Sequence, residues 1–111
     1  LQFIMGHLGE GLPFAMHRLN EHTYLSARRR GLKKNPLEYI QQHLYVGTSG
    51  NWYEPAFVCT LLAMGAERIL WAIDWPYEAN KVGMDFWNKI SLSDADRAKI
   101  AHGNAERLLR L

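Results

Sequence analysis

The strongest constraint on the fold of this chain is the segment Arg68–Pro76, with the sequence RILWAIDWP. Its apolar run, from Ile69 to Ile73, has no polar interruption, which is typical of a strand buried on both faces of a parallel sheet. The run ends at Asp74, and Pro76 lacks the N–H that a continuing strand would need. Ligands of α/β folds bind where parallel strands end, so Asp74 is a candidate site residue. An aspartate at this point is equally typical of a turn or a helix cap.

A second segment of the same kind opens the chain, with the sequence LQFIMGHLGEGLP. Its apolar residues predict a strand over about Leu1–Gly6, and the loop after it carries His7 and Glu10 among glycines. Glycines permit backbone conformations that other residues resist. Because parallel strands end at the same edge of a sheet, the sequence predicts that His7, Glu10 and Asp74 converge there.

The rest of the chain alternates between helical patterns and one further apolar run. A strand is predicted at Leu44–Thr48, and the small polar residues Ser49, Gly50 and Asn51 follow it. Helical spacing and helix-start signals predict helices at about 14–30, 36–42, 55–64, 93–102 and 105–111, with Asn104 as the cap of the last and 79–90 either irregular or helical. This βαβαβα order predicts an α/β fold with parallel strands and right-handed connections.

The composition of the chain limits the number of domains and the kinds of binding partner that can be expected. The chain has 111 residues and 48% hydrophobic content, which indicates one ordered globular domain at most. Its net charge of +2 argues against a nucleic-acid or membrane partner, and no apolar run reaches the roughly 20 residues of a membrane span. The single cysteine, Cys59, cannot form an intramolecular disulfide, so we expect a reducing, cytoplasmic setting. The basic cluster Arg28–Lys34 is interpreted as a solvated helix end, with a phosphate-binding or basic-patch module as the alternative.

The chain begins at Leu1, within the first predicted strand. A buried parallel strand needs neighbours on both sides to pair its backbone groups. We therefore expect these 111 residues to be the C-terminal piece of something larger.

Four stretches in this order resemble the C-terminal part of the amidohydrolase-2 family: IMGHLGEGLPF, YVGTSGN, GAERILWAIDWPYE and IAHGNAERLLRL. Within that family they are similar to the metal-dependent decarboxylases of γ-resorcylate, 2,3-dihydroxybenzoate, 5-carboxyvanillate and aminocarboxymuconate semialdehyde. The resemblance implies that residues 1–111 form the last three βα units of a distorted (β/α)8 TIM barrel. The active site of that fold lies at the C-terminal ends of the strands.

The resemblance also implies roles for individual residues. Asp74 would bind a divalent metal, Zn²⁺ or Mn²⁺, and His7 would transfer a proton beside it, with Glu10 as its partner. Arg18 would hold the carboxylate of a small aromatic acid in the site of a neighbouring subunit, within a dimer or tetramer. The family's other metal ligands lie upstream of Leu1, so the isolated chain is expected to be inactive.

Two alternatives to decarboxylation remain open from the sequence. One is a hydrolase of the same superfamily, in which Asp74 acts as a base toward a lactone or an amide. The other is a non-catalytic fragment that packs on intact family members. Trp75 and Tyr77, which follow Asp74, either wall an aromatic pocket or pack in the core.

Overall fold

A computed structural model describes residues 1–111 and has a parallel sheet of three strands at its centre. The strands, in their spatial order, are β1 (Phe3–Met5), β2 (Leu44–Gly47) and β3 (Ile69–Leu70). Val46 of the middle strand pairs with Met5 on one side and with Ile69 on the other. The predicted α/β fold with parallel strands is confirmed.

Helices connect and follow these strands. They are α1 (Leu12–Arg29), α2 (Pro36–His43), α3 (Glu54–Met64), α4 (Asn80–Lys89), α5 (Asp94–Ala98) and α6 (Asn104–Leu109). The stretch 79–90, for which the sequence allowed an irregular or a helical structure, contains the helix α4. Gly83 and Trp87 on one side of this helix are buried. None of the helices combines the length and the apolar content that crossing a bilayer would require.

The basic cluster ends α1 as predicted. Gly31 has φ +80°, its N–H donates to Arg28 O at 3.0 Å, and Leu32 N–H donates to Ala27 O at 3.1 Å. These two bonds form a Schellman motif, which satisfies the last carbonyls of a helix. The side chains of the cluster are exposed, so it is a solvated helix end.

The hydrophobic core lies between the sheet and the helices that cover it. Val46, Phe57 and Ile69 have no exposed surface, and Ile100 is 1% exposed. The outer strand differs, because Phe3 and Ile4 are 55% and 56% exposed. This exposure follows from the position of β1 at the edge of the sheet, where it has a neighbouring strand on one side only.

The third strand is shorter than the predicted Ile69–Ile73. Only Ile69–Leu70 pairs as a strand, since the next N–H, of Trp71, donates to Ile100 O at 3.0 Å. The following residue, Ala72, bonds to the side chain of Thr48 rather than to its main chain. Side-chain and helix groups thus satisfy the backbone where a strand ladder was expected.

The last two predicted helices are one continuous segment. Gly103 has helical dihedrals (φ −59°, ψ −32°), and the residues Lys99–Gly103 form a π-helical turn that joins α5 to α6. Asn104 does not cap a helix, contrary to the prediction. Its side chain is fully buried and donates to Ala66 O and Ile69 O, both at 2.7 Å. It therefore ties the C-terminal helix to the start of β3.

We expect Asn104→Ala to lower the free energy of unfolding by about 1–3 kcal/mol, because two buried carbonyls lose their donor. Chemical denaturation followed by circular dichroism measures this difference. The matched control is Asn88→Ala, which replaces an exposed asparagine of α4 without a hydrogen-bond partner. Equal stabilities of the two variants would show that the Asn104 bonds do not hold the C-terminal helix.

Candidate active site

The structure brings His7, Glu10 and Asp74 together at the C-terminal edge of the sheet. His7 Nδ1 lies 2.8 Å from Glu10 Oε1, and His7 Nε2 lies 3.2 Å from Asp74 Oδ2. One imidazole thus bonds to a carboxylate on each of its nitrogens. The predicted convergence is confirmed, and the catalytic roles of these residues remain predictions.

A left-handed turn after β1 gives His7 and Glu10 their positions. The residues His7, Leu8, Gly9 and Glu10 have φ values of +50°, +56°, +75° and +56°. Each non-glycine residue in this region costs roughly 1–2 kcal/mol, so packing must hold the turn. Leu8 is 2% exposed within the core, and its carbonyl accepts a hydrogen bond from the Thr60 hydroxyl at 3.2 Å.

Asp74 combines two features that the sequence left as alternatives. Its carbonyl accepts from the N–H groups of Tyr77, at 2.8 Å, and Glu78, at 3.0 Å, so it opens a turn. Its φ of +82° is uncommon for a residue with a side chain. The same residue directs its carboxylate at His7, so the turn and the candidate site coincide.

The end of the middle strand links the two halves of the site. Thr48 is fully buried, and its hydroxyl donates to Ala72 O at 2.8 Å and accepts from Ala72 N at 3.0 Å. Ser49 Oγ accepts from the N–H of His7 at 3.3 Å. The sequence marked small polar residues at this strand end without assigning them a role. The feature of the sequence that could have pointed to such a role is their position directly after the second predicted strand.

The two carboxylates stabilise the charged form of the imidazole. The hydrogen bond to Asp74, followed by the bond to Glu10, raises the pKa of His7 above its ordinary 6.5. Histidine is the side chain that most readily takes up and releases a proton near neutral pH, and the two carboxylates favour its protonated form. The arrangement is suited to proton transfer.

Arg18, Trp75 and Tyr77 lie outside this cluster. Arg18 is exposed on α1 and forms no ion pair or hydrogen bond within the chain, so its role in a neighbouring subunit stays a prediction. Trp75 and Tyr77 are 73% and 87% exposed. Their alternative assignment to the core was therefore wrong, and they lie free beside Asp74.

The side chains present supply one ligand for a divalent metal. Asp74 Oδ2 faces His7, and Oδ1 has no hydrogen-bond partner in the chain, so one oxygen is free to bind a cation. No group of three histidine, cysteine, aspartate or glutamate side chains is arranged to hold a metal ion. Catalytic zinc usually has three protein ligands, so further ligands would have to come from outside these residues.

Comparison with known proteins identifies the family. The amidohydrolase family matches residues 1–111, and the chain belongs to it. The γ-resorcylate decarboxylase of Polaromonas sp. strain JS666 is 36% identical over 113 aligned positions, which cover 100% of this chain and 35% of that protein. The chain therefore spans about a third of the length of the relatives it matches.

Solved structures give the same result. The 5-carboxyvanillate decarboxylase of Sphingomonas paucimobilis superposes with a TM-score of 0.89 and 31% identity, over 100% of this chain and 34% of that one. A dihydroxybenzoic acid decarboxylase of Polaromonas sp. JS666, crystallised with manganese and the inhibitor 2-nitroresorcinol, has a TM-score of 0.83 and 36% identity over the same shares. The three βα units are thus a part of the amidohydrolase TIM-barrel fold.

We expect Thr48→Val to lower the free energy of unfolding by about 1–3 kcal/mol, because the N–H and C=O of Ala72 both lose a partner while the side-chain shape is kept. Thr23→Val is the control, since that hydroxyl bonds only to Leu19 O of its own helix. Denaturant unfolding measures both variants. A cost no larger than that of the control would remove Thr48 as the link between β2 and the Asp74 segment.

Proposed function

We propose that this chain belongs to an enzyme that removes CO₂ without oxidation from a small aromatic, hydroxybenzoate-like carboxylic acid with the help of a divalent metal. The observation that carries the proposal is the His7 imidazole held between Glu10 and Asp74 at the end of parallel strands. The decarboxylases named above match this chain over its full length, which favours decarboxylation over the hydrolase alternative.

Proton transfer is the step that His7 is suited to perform. The protonated imidazole donates a proton to the ring carbon that carries the carboxylate. The bond from this carbon to the carboxylate then breaks, CO₂ leaves, and the electron pair of that bond restores the aromatic ring. Glu10 keeps the imidazole in one orientation and stabilises its charged form. The product keeps this proton, and solvent supplies a new one to His7 before the next turnover.

Asp74 would supply a carboxylate ligand to the metal through its free oxygen. Manganese is the ion bound in the Polaromonas structure, and Zn²⁺ is the alternative. A divalent cation supplies positive charge that binds and polarises oxygen substituents of a substrate. The remaining ligands would come from parts of the protein beyond these 111 residues, so the chain alone is proposed to be inactive.

The open side of β1 supports a larger assembly. An apolar groove of about 470 Å³ lies beside this strand, and its lining includes Phe3, Met5, Tyr39, Ile40 and Leu44. Exposed apolar grooves of this kind favour burial against further structure. We therefore place this chain in a complete barrel, and the catalytic assignment takes precedence over the non-catalytic fragment.

Arg18 would complete the site across a subunit interface. A guanidinium binds a carboxylate with two parallel hydrogen bonds, which suits the substrate class. Arg18 lies eleven residues after His7, is exposed, and forms no ion pair or hydrogen bond in its own chain, so it is free to reach a neighbouring subunit. The enzyme would therefore be a homo-oligomer, a dimer or tetramer, and Cys59 as the sole cysteine agrees with a cytoplasmic enzyme.

A chimera tests the activity directly. We expect the Polaromonas γ-resorcylate decarboxylase, with its matching third replaced by this chain, to release CO₂ from 2,6-dihydroxybenzoate when Mn²⁺ is present. Asp74→Asn should lower the rate by at least about a hundredfold, since a ligand contributes more than the 10–100-fold typical of its supporting partners. The rate of decarboxylation is measured from the loss of the substrate's ultraviolet absorbance.

The control for this substitution is Asp94→Asn, which makes the same chemical change at an exposed residue in the first turn of α5. It should leave the rate unchanged within about twofold, as surface substitutions do. Gel filtration and circular dichroism establish that each chimera is folded, and Mn²⁺ binding establishes that the unsubstituted chimera and the Asp94→Asn control hold their metal. A folded, metal-loaded chimera without decarboxylation, or an active Asp74→Asn variant, would contradict the proposed function.

Subunit mixing tests the role of Arg18. Two inactive chimeras, one with Arg18→Ala and one with Asp74→Asn, should regain part of their activity when mixed, because a mixed dimer contains one site with both residues intact. Exchange is followed with differently tagged subunits. Complete exchange without any return of activity would show that Arg18 does not act across the interface.

A further inference from the structure

The loop Ser49–Asn51 lies against the His7–Asp74 pair, although none of its side chains has a part in the proton transfer. Asn51 N–H donates to Thr48 O at 3.2 Å, which closes a turn, and Gly50 has φ +66° within it. A Cβ on residue 50 would lie 2.9 Å from His7 Cδ2. Carbon atoms in contact normally lie about 3.5–4.0 Å apart, so a methyl group does not fit here.

The imidazole cannot move aside without losing a bond. Its two nitrogens are bonded to Glu10 and Asp74, and the main-chain N–H of His7 bonds to Ser49 Oγ at 3.3 Å. The same Cβ would also lie 3.2 Å from Asp74 Oδ2 and 3.3 Å from His7 Nε2. A side chain on residue 50 would therefore press on both members of the hydrogen bond at once.

Backbone conformation alone does not explain a glycine at this position. Gly31 also has a positive φ, +80°, but a Cβ there would meet no atom within 4 Å. The two glycines share the conformational requirement and differ in what a side chain would touch. Gly31→Ala is therefore a matched control, because it carries the backbone penalty without the contact.

We propose that Gly50 is a positioning residue: its lack of a side chain lets the His7 ring and the Asp74 carboxylate approach to hydrogen-bond distance. The turn that holds Gly50 follows the middle strand, so the strand that contributes no reacting group sets the separation of the groups on its two neighbours. The kinetic consequence rests on the proposed function, whereas the geometric one does not.

A stability cycle tests the geometry. We expect Gly50→Ala to lower the urea midpoint of this chain further than Gly31→Ala does. In a His7→Ala background the ring is gone and only the 3.2 Å contact with Asp74 Oδ2 remains, so Gly50→Ala should lower the midpoint by a clearly smaller amount, closer to the effect of Gly31→Ala. If the single variant does not fold, folding of the His7→Ala/Gly50→Ala double variant supports the proposal, and failure of the double variant overturns it. An equal shift in both backgrounds also overturns it.

Steady-state kinetics of the active chimera test the consequence. Gly50→Ala should lower kcat by about ten- to hundredfold, the range expected for a misplacement near 1 Å, and leave KM within about threefold. Gly31→Ala should change neither constant. A raised KM with unchanged kcat, or an unchanged kcat, would overturn the positioning role. If the unsubstituted chimera is inactive, the proposed function is contradicted. The stability cycle does not depend on activity, so it still tests whether the glycine at position 50 permits the hydrogen bond between His7 and Asp74.

Discussion

Parallel pairing on both sides of the buried strand β2 is the constraint on which the rest of the structure depends. Val46 has no exposed surface and pairs with a residue of each outer strand, so β1 and β3 are held in a fixed register. All three strands therefore end at one edge, where His7 and Asp74 leave the sheet 67 residues apart in sequence. This pairing is what brings His7 Nε2 to 3.2 Å from Asp74 Oδ2.

Unusual backbone conformations are concentrated at that edge. All four residues of the turn His7–Glu10 have positive φ, and so do Asp74 and Gly50. Such residues persist where the surrounding structure stabilises them, and they cluster at functional sites. Here the stabilising contacts are internal to the fold, since Leu8 is buried in the core. The site is thus formed by strained loops on a rigid sheet, which suits groups that must hold a fixed geometry during proton transfer.

Polar side chains replace main-chain pairing where the sheet is incomplete. Thr48 bonds to both polar groups of Ala72, and Asn104 donates to two carbonyls around β3. Both residues are fully buried, so each bond avoids the cost of an unpaired polar group. Together they hold the segment before Asp74, with Asn104 bonding to its start and Thr48 bonding near its end. This explains why a strand pairing through only two residues positions a site residue reliably.

The sequence by itself determined the alternation of strands and helices along the chain, the parallel direction of the strands and the identity of the three converging side chains. Apolar runs and the residues that end them are local signals, and the direction of parallel strands then fixes where those residues meet. Only the tertiary structure decided the short β3, the buried tether of Asn104 and the contact of Gly50 with His7. Each of these depends on which groups from distant segments come together, and a local pattern carries no record of such partners. The exposure of β1 was decided in the same way, since burial of a strand depends on neighbours that its own residues do not specify.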